Sequence, residues 1–240
     1  TTYYNDSLVK LLVNLYSYIE SCAGRRYLSM DISTIVTCIN RRIEGNVKFP
    51  FSNDEYDIES NNRDYVNEIK RIIEISRMNY NNNSNANPKI ILIPFHQKCS
   101  VCNFDASHVV VFVVDLDKYD SPDSIMVFDS SHYLISPDHG IENTRSFGPF
   151  INQINKCPVN DIKFQSWYRF TCTFWAEAFI NLVSMLIEQN INNPNFGLND
   201  VKNFINSNES RLRSEYNLVI ESVGSWFVRY CSCLISIVFD

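Results

Sequence analysis

Polar and apolar positions fall into two styles that divide the chain near residue 80. In the first third, apolar residues recur three and four apart. Residues 7–21 place Leu8, Leu11, Leu12, Leu15 and Ile19 on one helical face behind Ser7, a residue type suited to an N-cap. The same period runs through residues 30–43 and 63–78, the latter with Val66, Ile69, Ile72, Ile73 and Ile75 among charges. Residues 1–80 are therefore expected to form a helical N-terminal region. Residues 79–88 (NYNNNSNANP) have no apolar period and are rich in turn formers, which predicts an exposed loop.

Beyond that loop the period shortens. Residues 89–95, 108–116 and 124–130 are runs of β-branched and aromatic residues bounded by polar turns, as buried strands require, and 161–167 is a fourth candidate. Residues 147–156 are expected to form a short crossover helix. The most apolar long segment, residues 172–189 (CTFWAEAFINLVSMLIEQ), predicts the central helix, with Asn192, Asn193 and Pro194 ending it. Residues 198–222 read as one or two helices, and the apolar run to residue 239 as a strand or buried helix. The sum is an α+β fold. Its core spans 89–240, with a central mixed or antiparallel sheet packed on the helix that begins at Cys172 and helical additions at the C-terminus.

Composition narrows what such a domain does. Hydrophobic residues make up 45% and charged residues 20%, a globular profile without the apolar depletion of a disordered chain. A net charge of -6 argues against nucleic acid as a partner. The 8 cysteines are scattered through a chain too large to need disulfide staples, which points to reduced thiols in a cytosol. No run approaches the ~18 apolar residues of a membrane span, and the first residues lack a signal-peptide layout. The opening Thr1 in place of methionine suggests a fragment or processed chain.

Candidate chemistry lies in an order of residues. His108 opens one apolar strand, Asp129 ends the next, Gln165 follows, and Cys172 opens the apolar helix. A thiol nucleophile needs an imidazole to take its proton and a carboxylate to hold the imidazole; an amide can stabilise the oxyanion. A helix start adds unpaired N–H groups and the positive end of the macrodipole, both of which favour an anion there. Each residue also has a bland role, since cysteine fills cores, Asp-Ser-Ser makes turns and a histidine packs at a strand start. Their joint placement on successive core elements favours the chemical one.

The segment HVVVFVVDLDKYDSPDSIMVFDSS resembles the histidine and aspartate strands of the CE clan of papain-like cysteine proteases. That clan includes ubiquitin-like-protein proteases, adenovirus-type proteases and YopJ-type effectors, and the order His, Asp, Gln, Cys is its order. The resemblance covers about residues 89–190. It implies that Cys172 attacks, His108 shuttles the proton, Asp129 orients the imidazole and Gln165 stabilises the oxyanion, with no cofactor. It further implies that Trp167, Tyr168 and Thr173 contact substrate, the aromatics clamping an extended glycine-glycine tail of ubiquitin or a ubiquitin-like partner. Val109 stands where the ubiquitin-like proteases carry tryptophan, Thr173 where they carry glycine, and bulky residues 168–171 replace small polar ones. This divergence suggests a monomeric effector of an intracellular bacterium acting in the host cytoplasm. Two alternatives stay open: a YopJ-type acetyltransferase using acetyl-CoA at the same site, and an inactive module that binds ubiquitin-like proteins.

Other sites compete for some of these residues. His96, Cys99, Cys102 and His108 have the residue types of a zinc site, but a single Cys-x-x-Cys is a weak signal and no metal is expected. His132 and His139 read as solvated loop residues, and residues 202–213, with Arg211 and Arg213, as a solvated helical face. Asp115 ends the strand that His108 begins, which predicts a separation of roughly 20 Å. Asp129 is the better acid because an antiparallel neighbour returns it toward His108.

Overall fold

The computed structural model describes residues 45–48, 62–84, 87–99, 106–121, 124–132, 154–165 and 171–221, with the backbone alone at 62–68, 96–99, 106–108, 154–158 and 173. Among the described residues four strands form one sheet: β1 (Ile90–Cys99), β2 (Ala106–Asp115), β3 (Ile125–Phe128) and β4 (Ile154–Pro158), in that spatial order. The pairs β1–β2 and β2–β3 are antiparallel, and β3–β4 is parallel. The fold is α+β with a mixed sheet.

Alternation along the strands explains why both faces of the sheet are covered. Ile91, Ile93, Phe95, Val110, Phe112, Val114, Ile125 and Val127 share one apolar cluster with Ile69, Ile72 and Ile73 of helix α1 (Asn62–Asn82). The opposite set, including Leu92, Val111, Val113 and Phe128, packs against helix α2 (Cys172–Gln189). Strands buried on both sides read as continuous apolar runs, as residues 109–114 do. Helix α3 (Leu198–Ser207) and a fourth helix, α4, at 209–221 extend the α2 layer through Val201, Ile205, Leu212 and Val219.

Leu92 uses its outward-facing groups on a neighbouring segment: its N–H donates to Asn46 O and its carbonyl accepts from Lys48 N, both at 2.8 Å. Two residues on, Pro94 has the same outward phase, so its missing N–H costs the β1–β2 ladder nothing.

Several predicted boundaries shift. Helix α1 continues through Asn82, so the loop expected at 79–88 loses its first residues to the helix. Residues 154–156 belong to β4 rather than to the expected crossover helix, and of the strand expected at 161–167 the described part, 161–165, is not a strand. Asparagine and lysine in INKCP hid that strand, while the alternation in DIKFQSW mimicked one. The expectations for residues 1–43 and 225–240 lie outside the described residues.

Candidate active site

Strand β3 ends at Phe128, and the next residue, Asp129, is fully buried. Ser131 donates to Asp129 Oδ1 through its backbone N–H at 3.0 Å and its hydroxyl at 3.1 Å. These bonds make an Asx turn that also fixes the carboxylate direction. The backbone of Asp129 is gripped from the other side by the buried Asn160, just beyond β4. Asp129 N–H donates to Asn160 Oδ1 at 3.1 Å, and Asn160 Nδ2 donates to Asp129 O at 2.9 Å. Parallel pairing of β3 and β4 makes this possible, because it brings the two strand ends to the same side of the sheet.

Asn160 Nδ2 gives its second hydrogen to Ile162 O at 2.9 Å. Both amide hydrogens are then committed, so the His132 ring nitrogen 3.0 Å away does not accept from it. His132 Nε2 therefore carries a proton and donates to Asn160 O at 2.9 Å. With a φ of 57° in the left-handed region, His132 is part of the turn rather than the solvated side chain expected from sequence.

Gln165 is tied to the same turn. The N–H groups of Phe164 and Gln165 both donate to Ser130 O at 2.9 Å, and Ser130 Oγ donates to Gln165 Oε1 at 3.2 Å. Both Ser130 and Gln165 are buried. Asp129 and Gln165 are thus coupled through the intervening Ser130.

Cys172 is the first residue of α2, a buried free thiol at a start with no side-chain cap and no acidic residue in the first turn. Trp175 and Phe179 lie one and two turns further along the face that Cys172 shares. Phe179 stacks on Phe128 at 4.1 Å between centroids, and Trp175 meets Phe164 at 5.0 Å. Phe128 and Phe164 also touch, at 6.2 Å. The residues immediately before Asp129 and Gln165 therefore pack on the Cys172 face of α2. Arg213 of α4 is exposed and pairs with Glu209 at 2.7 Å, as expected of a solvated helical face, and it also lies over Phe164 and Trp175, at 5.2 and 5.9 Å from their centroids.

Backbone register places position 108 in β2 opposite Gln97, three residues before Val111, whose partner is Phe128. Position 108 and Asp129 stand at the same end of the β2–β3 pair. The side chains of His108 and Thr173 lie outside the described residues, as do Trp167, Tyr168, His139 and Cys102. Asp115 ends β2 at the other end, buried, with Asp117 N–H on its Oδ1 at 3.1 Å; desolvation pushes its carboxyl above the usual range.

Sequence reasoning passed over Asn160 and Ser130. Asn160 follows a short strand with weak patterning, and Ser130 sat in a motif already explained as turn chemistry. No family model, curated protein or solved structure matches the chain. Among the described residues, no helix is long and apolar enough to cross a membrane.

Proposed function

We propose that the chain is a papain-like thiol protease of the CE-clan type, cleaving after the C-terminal glycines of ubiquitin or a ubiquitin-like modifier. The observation that carries this is the packing of two short segments, one bearing Asp129 and the other Gln165, against the helix face that starts with Cys172. The bacterial-effector setting in a host cytoplasm rests on the resemblance alone.

In this mechanism His108 takes the Cys172 proton and the thiolate adds to the scissile carbonyl, forming a C–S bond. The oxyanion accepts from the Gln165 amide and from backbone N–H at the start of α2. Collapse breaks the C–N bond, with the His108 proton going to the leaving amine. Water, deprotonated by His108, then releases the acyl group and restores the thiol. Asp129 accepts from the imidazole throughout and keeps it in the reactive tautomer.

The test is a ubiquitin C-terminal propargylamide probe and its SUMO counterpart. Intact-mass spectrometry is expected to show a single adduct at Cys172, lost in Cys172→Ala. Binding of the probe protein with no adduct would instead favour the inactive module. Acetylation of the protein by labelled acetyl-CoA at Cys172 would favour the acetyltransferase.

A further inference from the structure

We propose that Ser130 is a positioning residue that sets which end of the Gln165 amide faces the reacting carbonyl. This rests on reading Cys172 as the nucleophile. An amide side chain has a donor end and an acceptor end of nearly the same shape, and its terminal torsion is broad and roughly two-fold. Only the NH2 end stabilises an oxyanion. A glutamine in this role therefore needs something to occupy its carbonyl end.

Ser130 supplies that group. A serine hydroxyl has one hydrogen, and Ser130 Oγ directs it to Gln165 Oε1 at 3.2 Å. Its carbonyl meanwhile takes the N–H groups of Phe164 and Gln165, each at 2.9 Å, so the same residue fixes the backbone from which the amide projects. Both residues are more than nine-tenths buried, which limits competition from water for the carbonyl end. With Oε1 held at Ser130, Nε2 and its two hydrogens are the end left for substrate.

The neighbouring serine has a parallel task. Ser131 orients the Asp129 carboxylate, and Ser130 orients the Gln165 amide. In the sequence Asp129-Ser130-Ser131 one short turn thus aims two side chains that act on different atoms. Asn160, holding the Asp129 backbone with its side-chain amide, keeps that turn in register with β4.

A double-mutant cycle on hydrolysis of a fluorogenic ubiquitin C-terminal amide tests the proposal. Gln165→Ala is expected to lower kcat about 100-fold, the scale of losing one oxyanion donor. Ser130→Ala is expected to lower kcat about tenfold at unchanged KM, as loss of one orienting hydrogen bond allows. The double variant should match Gln165→Ala, and Ser130→Thr should restore most of the rate. Ser130→Ala costing the same factor with and without Gln165 would overturn the proposal, as would an effect confined to KM. If the wild type turns over no substrate and Cys172 forms no probe adduct, the protease reading fails by itself. The 15N–1H shifts of the Gln165 side-chain amide then decide the positioning role: shifts that move toward those of a free glutamine amide in Ser130→Ala support it, and signals unchanged by that substitution overturn it.

Discussion

Asp129→Asn is expected to lower kcat for amide hydrolysis by about 10³- to 10⁴-fold while leaving the protein folded. The two halves of this result follow from the same geometry. Asparagine keeps the shape of aspartate, and its Oδ1 can still accept the Ser131 N–H and hydroxyl, so the turn after β3 survives. The clamp to Asn160 uses only the backbone of residue 129 and is untouched. The other end of the side chain, however, becomes an NH2 group. That group cannot accept from an imidazole N–H, so the ring turns to the tautomer that cannot take a thiol proton. Steady-state kinetics beside a thermal melt separates the two halves. A variant with wild-type kcat would remove Asp129 from the mechanism, and one that melts far below the wild type would make it a structural residue.

Glu177→Gln is expected to flatten the dependence of stability on pH. Glu177 lies in the second turn of α2, 2% exposed, with no hydrogen-bond partner on either carboxyl oxygen. Burial, and secondarily the charge of Glu215 on α4, raises its pKa to about 8 from 4.5. In the unfolded chain the group ionises near 4.5, whereas the folded protein retains its proton up to about 8. Between those values the folded state binds more protons, so stability falls as pH rises, by about 1.4 kcal/mol per pH unit. Above the folded value the slope vanishes because both states are ionised. At pH 7 the accumulated cost is roughly 3 kcal/mol, an order-of-magnitude figure for a buried carboxyl. Urea unfolding at pH 5 and pH 8 should show the wild type losing several times more stability over this interval than Glu177→Gln. Equal losses in the two proteins would mean that Glu177 is ionised in the folded state.

The parts of the fold carried by hydrophobic period were legible in the sequence. Cys172–Gln189 was legible with both ends in place, because eighteen residues of helical spacing running into an asparagine-rich segment leave little choice. The strands around Val111 and Val127 were equally plain, since a strand buried on both faces shows no polar interruption. Strand β4 was missed because five residues with asparagine and lysine among them carry too little period to stand out. The link from Ser130 to Gln165 spans 35 positions and that from Asp129 to Asn160 spans 31, and no local pattern records either. Both depend on β3 and β4 running parallel, which is a property of topology rather than of any one segment. The exposure of Arg213 was legible, but not the rings it lies over. A charged head that stays in water can still lay its stem over apolar rings, here those of Phe164 and Trp175, and no local pattern records that contact.

The segment bonded along β1 restricts how an extended peptide can dock. An open sheet edge captures a peptide by accepting it as one more strand, with main-chain hydrogen bonds supplying affinity for any sequence. At the outer rim of β1 that route is blocked in the middle. Leu92 has already spent both outward groups on residues 46 and 48, and Pro94 has no donor to offer. A tail threading past this molecule cannot zip along that rim, so discrimination among peptides has to come from side chains rather than from generic backbone pairing there.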